Sequence, residues 1–118
     1  MTTPQQLHIP VLLDATLDLL HPGKGESYLD LTAGYGGHAQ AVIARIGSAN
    51  LATLVDRDAF AIGQLESLGQ QGARLIHSDF LEASQTLVTE NRQFDMILLD
   101  LGVSSPQLDR AERGFSFR

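Results

Sequence analysis

Four short apolar runs recur along this chain, each ending in polar residues and separated from the next by a stretch with helical spacing. The first begins at Tyr28 and passes through Asp30 into Thr32-Ala-Gly-Tyr-Gly-Gly-His38; the second, Leu51-Ala-Thr-Leu-Val55, ends in Asp56. The third, Ala73 to His77, ends in Ser78-Asp79-Phe80, and the fourth, Phe94-Asp-Met-Ile-Leu-Leu99, ends in Asp100-Leu-Gly-Val-Ser-Ser-Pro106. Runs this short and this apolar read as buried strands. Between them, Ala39, Val42, Ile43 and Ile46 follow the i, i+3, i+4, i+7 pattern of a helix face, with Gly47 placed to end it. Asp58 is a fitting N-cap for a helix carrying Ala61, Leu65 and Leu68 on one face. A further helix is expected from about Leu81 to Glu90, with Leu81, Ser84, Leu87 and Val88 inward. Ahead of the first strand, Pro10 can open a helix over Val11 to Leu20 that Pro22-Gly23 closes. Strict strand-helix alternation predicts an α/β fold: a parallel sheet with flanking helices, right-handed crossovers and ligands at the carboxyl ends of the strands.

The turn after the first strand carries the most specific chemistry. Gly34, Gly36 and Gly37 allow the backbone positive φ angles and a close approach to a ligand, and the helix that follows presents free N–H groups to an anionic group. Asp56 ends the next strand about 20 residues on, where a doubly wound sheet places an acid for ribose hydroxyls. Asp79 and Phe80, at the third strand tip, suit an adenine: a carboxylate for the exocyclic amine and a ring for the base face. Together these describe a nucleotide-cofactor cradle.

Several of these residues also have purely structural readings. Asp56 and Asp58 flank a helix start, so either can serve as a cap. His38 can face solvent from a first helical turn, and Phe80 can be plain core. Asp30 can hold the cradle in shape by accepting from the glycine amides, or it can meet the ligand. Asp100 is harder to explain structurally, because an unpaired charge at the end of a run as apolar as Met96 to Leu99 is costly.

Composition narrows the classes. The 118 residues, 43% of them hydrophobic, suffice for one soluble globular domain, 1–118, with residues 1–7 expected to be a flexible terminus. No apolar stretch approaches 18 residues and no leader pattern is visible, so neither a membrane span nor a secretory signal is expected, and a cytoplasmic location fits. The absence of cysteine excludes disulfides and thiolate chemistry, and the histidines at positions 8, 21, 38 and 77 lack metal-ligand spacing, so no metal is expected. A net charge of −6 argues against a general polyanion-binding surface. Only local basic patches are left, the best being Arg110, Arg113 and Arg118, beside Phe115 and Phe117, in what also reads as a solvated tail with two aromatics tucked onto the core. Ser104 and Ser105 lack the nucleophile-elbow pattern, which sets hydrolase chemistry aside.

His8-Ile-Pro-Val-Leu12, the Gly-Gly-His38 turn, Val55-Asp56-Arg-Asp58, Asp79-Phe80, Asp100-Leu-Gly-Val-Ser-Ser-Pro-Gln107 and Arg113-Gly-Phe-Ser-Phe-Arg118 together resemble the MraW family, also called RsmH. Members of that family are bacterial S-adenosylmethionine-dependent methyltransferases that modify N4 of a cytidine in 16S ribosomal RNA. The resemblance implies a Rossmann-like class I methyltransferase fold and S-adenosylmethionine as cofactor. It implies that Gly36, Gly37 and His38 lie along the methionine part, that Asp56 holds the ribose, that Phe80 lies at the adenine, and that Asp100 and Gln107 add contacts after the fourth strand. It assigns no catalytic base, and Asp-Leu-Gly-Val stands where many amino-methyltransferases carry Asp/Asn-Pro-Pro-aromatic.

The resemblance covers only the N-terminal part of such proteins, so the chain reads as a domain truncated after the fourth strand. That strand is expected to be an exposed edge, which a homodimer would be one way to cover. The surface for small-subunit ribosomal RNA is expected mostly in the C-terminal part that is lacking here. Two other classes fit less of the sequence. A non-catalytic module would bind cofactor or a partner without turnover. A NAD-dependent oxidoreductase would use the glycines and Asp56, but Gly34-x-Gly-Gly37 breaks the Gly-x-Gly-x-x-Gly spacing.

Overall fold

The computed structural model describes residues 13–34 and 36–100, together with the backbone of 107–110. The apolar runs form strands where the sequence places them: β1 (Tyr28–Asp30), β2 (Ala52–Asp56), β3 (Arg74–His77) and β4 (Met96–Leu99). They pair in parallel in the order β3-β2-β1-β4, with Leu29 opposite Thr53 on one side and Ile97 on the other, and Asp56 opposite His77. The expected parallel sheet is present.

A further strand lies beyond it. Residues Gln107–Arg110 form β5, which runs antiparallel to β4 and sets Gln107 opposite Leu99. The expectation that the fourth strand is an exposed edge is therefore corrected. Its outer N–H and C=O groups face β5, and the described sheet edges are β3 and β5. Pro106 and the polar Gln-Leu-Asp-Arg stretch give no strong strand signal; the pairing comes from the unsatisfied edge of β4.

Helices cover both faces. On one side pack α1 (residues 13–20), α2 (Gly37–Ile46), α3 (Ala59–Gln64) and α4 (Glu66–Gln70), whose Leu17, Leu20, Ala39, Val42, Ile43, Ile46 and Leu68, with Leu65 between α3 and α4, meet Tyr28, Ala52, Leu54, Met96 and Leu98. On the other side α5 (Phe80–Thr89) lays Ala83 and Leu87 against Leu29, Leu31, Val55 and Phe94. Alternate strand residues feed alternate cores, as a pleated sheet covered on both faces requires. Of the helix expected from Val11, positions 13–20 are helical, and Val11 and Leu12 lie outside the described residues.

The helix ends follow the predicted chemistry. Gly47 adopts φ 93° and closes α2 with its N–H on Ile43 O. Asp58 caps α3 by accepting from Phe60 N at 3.0 Å, so the cap reading of Asp58 holds. The inward face of α5 differs from expectation. Leu81 is 64% and Val88 37% exposed, whereas Ala83 and Leu87 are buried. Asp79 caps the helix by accepting from Glu82 N at 2.8 Å, and packing selects Phe80, Ala83 and Leu87 as the stripe that meets the sheet. At the opposite end of the sheet Asp95 accepts from Ser27 N at 2.8 Å, tying the start of β4 to that of β1.

Candidate functional site

At the carboxyl ends of β1, β2, β3 and β4 the chain turns away from the sheet, and the side chains of those turns converge. Leu31 N and Ala33 N continue the ladder beyond β1 by donating to Leu98 O and Val55 O at 2.9 and 2.8 Å. This drives the first turn between its neighbours. Thr32 then bridges two strand ends: its N–H donates to Asp30 Oδ1 at 3.1 Å and its hydroxyl accepts from Asp100 N at 2.7 Å.

Asp56 organises the glycine turn. One carboxylate oxygen accepts from Gly34 N at 2.8 Å and the other from Asp58 N at 2.9 Å. Asp56 is half-buried and is not a helix cap, since Asp58 fills that role. The sequence offered Asp30 as the holder of the glycine amides; in the structure Asp56 bonds Gly34, while Asp30 bonds Thr32 N and the Tyr28 hydroxyl. Gly34 sits at φ +60° and Gly36 at φ +89°. A Cβ on Gly36 would lie 2.8 Å from Leu65 Cδ2, so this glycine is required both by its backbone and by the packing of α2 on the α3–α4 turn.

These groups open onto a cleft of about 390 Å³ lined by Leu31, Thr32, Asp56, Arg57, Ser78, Asp79, Phe80 and Asp100. That volume falls within the usual range for small-molecule sites. Four of the residues singled out from sequence, Asp56, Asp79, Phe80 and Asp100, share this lining, with Asp79 also the cap of α5. Phe80 also packs against the second core cluster, so it serves both core and cleft. Gly36, Gly37 and His38 stand beside it, at the cap and first turn of α2, outside the lining. His38 is half-buried with Nε2 shielded from solvent, which corrects the reading of a solvent-facing imidazole. Gln107 lies in β5, and Ser104 and Ser105 lie outside the described residues.

Leu31, Thr32 and Arg57 are lining residues that sequence reasoning missed, although Asp-Arg-Asp was in view. The strand end fixes the place of Arg57: the His77 ring N–H donates to Arg57 O at 3.0 Å, a bond across the β2–β3 tips. Among the described residues no group of His, Cys, Asp and Glu has the geometry of a metal site.

Electrostatically the site is acidic. Asp30 is buried at 1% exposure, and its carboxyl is pushed up to about 7. Loss of water is the main cause, with the Asp100 and Asp56 charges adding to it and the bonds from Tyr28 and Thr32 opposing it. Burial and the adjacent Asp30 carboxyl likewise raise the Tyr28 phenol well above its ordinary value. A cleft rimmed by carboxylates and one aromatic ring favours a ligand with donors, positive charge and a flat face.

The parallel sheet, the crossovers and the cleft at its carboxyl end define a Rossmann-like fold of the class I methyltransferase kind. A crystal structure described as the SAM dependent methyltransferase from Agrobacterium tumefaciens shares this fold, with a TM-score of 0.54 at 23% identity over 79% of this chain and 30% of that one. Residues 5–118 match the MraW methylase family, and the chain belongs to that family. Among its relatives is the ribosomal RNA small subunit methyltransferase H of Rickettsia massiliae, 45% identical over 116 residues, which are 95% of this chain and 36% of that protein. The proteins of the same name from Nitratidesulfovibrio vulgaris and Methylobacillus flagellatus are 43% and 38% identical over 94% of this chain, and 32% and 35% of their own lengths. The chain thus spans about a third of the curated relatives it matches.

Proposed function

We propose that this chain is the cofactor-binding part of an S-adenosylmethionine-dependent methyltransferase that acts on N4 of a cytidine in small-subunit ribosomal RNA, in the cytoplasm. The observation that carries the reading is the convergence of Asp56, Phe80 and Asp100, from three separate strand ends, on one cleft of cofactor size. The relatives' shared name supplies the ribosomal substrate, and the family resemblance supplies the cytidine nitrogen.

The residues present fit the cofactor. Asp56 offers carboxylate oxygens at the place for a ribose diol, Phe80 a ring for the adenine, and Asp100 a carboxylate for the ammonium of the methionine end. Gly34 and Gly37 have open space where a Cβ would stand, which leaves the turn approachable along its backbone. Gly36, Gly37, His38 and Gln107 complete the proposed contact set. When bound, the cofactor supplies a methyl group already activated on a sulfonium. The chain's own work is then to bind and orient, and holding the reacting partners in line is worth several kcal/mol. Asp100 also stands where it can accept from an amine N–H as the nitrogen attacks.

Calorimetric titration of S-adenosylmethionine into the chain, with NAD as control and Asp56→Ala alongside, tests the reading. Saturable heat with S-adenosylmethionine alone, weakened at least tenfold in the variant, is the expected result. Binding of NAD, or no saturation by either in a sample folded by circular dichroism, would overturn it.

A further inference from the structure

Asp30 stands at the carboxyl end of β1, buried and outside the cleft lining, and accepts from Thr32 N, not from the glycine amides. Its burial is almost complete, which is unusual for a carboxylate without a basic partner. The groups that bear on it are the Tyr28 hydroxyl from its own strand, at 2.8 Å from Oδ2, Asp56 from the end of β2, and Asp100 from the end of β4; no basic side chain is among them. Thr32 connects it to the lining, because the threonine that donates its N–H to Asp30 also accepts from Asp100 N. Four carboxyl groups therefore share one end of the sheet, those of Asp56, Asp79 and Asp100 in the cleft lining beside Arg57 and that of Asp30 buried outside it.

Resting on the reading of the cleft as an S-adenosylmethionine site, we propose that Asp30 is the charge-matching residue of that site. It carries a proton until a cationic ligand enters, releases it to solvent as the cation binds, and takes a proton back when the neutral thioether product stands in the cation's place. The physical reason is loss of water first, with the neighbouring Asp100 and Asp56 charges adding to it: a further negative charge in this water-poor position is disfavoured, and the carboxyl is pushed up to about 7. S-adenosylmethionine brings one net positive charge into the cleft, its sulfonium, because its ammonium and carboxylate offset each other; this shifts Asp30 toward its ionised form, so cofactor binding is linked to proton release. The sulfonium is the charge that methyl transfer removes. Asp30 therefore makes the site discriminate between cofactor and spent product by charge, although the two have nearly the same shape.

Titration calorimetry of the chain at pH 6, 7 and 8, each in two buffers of different ionisation enthalpy, counts the protons exchanged. S-adenosylmethionine and S-adenosylhomocysteine serve as probes. Both carry the same amino-acid end, so titration of that end cancels and the difference reports the sulfonium. At pH 6 S-adenosylmethionine is expected to release up to one proton more than the product, with the difference vanishing by pH 8. Its affinity should rise by up to tenfold from pH 6 to 7, the product's much less. In Asp30→Asn the extra release and the pH dependence should both be lost. Tyr28→Phe removes a bond that favours ionised Asp30, so it should move the midpoint of release to higher pH, and it keeps the test open if the Asn variant does not fold. Equal proton counts for the two probes, an unchanged count in Asp30→Asn, or an unmoved midpoint in Tyr28→Phe would overturn the proposal while leaving the cofactor reading standing. Failure of S-adenosylmethionine to bind at any of these pH values would overturn both.

Discussion

At the residue scale, two positions carry consequences that follow from their surroundings alone. Asp30 holds its proton in the fold up to about 7, whereas in the unfolded chain it ionises near the ordinary value of 3.8. An acid shifted in this direction favours the fold at low pH, and that contribution is lost as pH rises between those two values. Asp30→Asn does not titrate, so the stability of the native chain relative to this variant should fall between pH 4 and 7, by up to about 4 kcal/mol, and level off above. Urea midpoints taken across that range check the sign; a rising difference would contradict it. Gly36 is the second position. Alanine there would have to adopt φ near +89° and push aside Leu65 Cδ2, which a Cβ would approach at 2.8 Å. Gly36→Ala should cost about 1–2 kcal/mol from backbone conformation, more if Leu65 cannot move, read from the same urea transitions. Its need for glycine was visible in the turn sequence, but the reason that Leu65 supplies was not.

At the element scale, α5 separates what a pattern shows from what packing selects. Leu81, Ser84, Leu87 and Val88 satisfy helical spacing as well as Phe80, Ala83 and Leu87 do, and the sequence does not say which stripe meets the sheet. Packing decides it: the sheet receives Phe80, Ala83 and Leu87, in a helix that Asp79 caps. Leu87→Ala should therefore cost about 2–5 kcal/mol, whereas Leu81→Gln should stay within about 0.5 kcal/mol of the parent in thermal or urea unfolding. Comparable losses at the two sites would overturn this assignment. The strands were legible for a different reason. Buried on both faces, each is a short apolar run closed by a polar tip, and a parallel strand needs no finer periodicity than that. β5 was not legible, because it is recruited by the free edge of β4 and not by an apolar pattern of its own.

At the scale of the whole molecule, net charge sets the expectation for RNA binding. A net charge of −6 over 118 residues supplies few cations to displace counterions from phosphates. In fluorescence anisotropy with a labelled 16S ribosomal RNA fragment at physiological salt, the chain should bind no more tightly than a non-specific protein, with Kd of about 10⁻⁴–10⁻⁶ M or weaker. Submicromolar binding would show that the RNA surface is already present here, against the expectation that it lies mostly outside this part of the family's length.

The sequence by itself determined the order and type of the main elements, the glycine turn and the polar strand tips, because each is written in a local stretch of chain through periodicity, backbone freedom or capping. It also carried the family, through motifs spread from His8 to Arg118 that residues 5–118 match as a whole. Only the tertiary structure decided which tips share one cleft, that Arg57 joins them, that Asp56 and not Asp30 holds the glycine turn, and that Asp30 is buried outside the lining. Those facts depend on the lateral order β3-β2-β1-β4, which sets residues from distant parts of the chain side by side. Burial and like charge then act on whatever that order brings together, and neither can be read from a single stretch of residues.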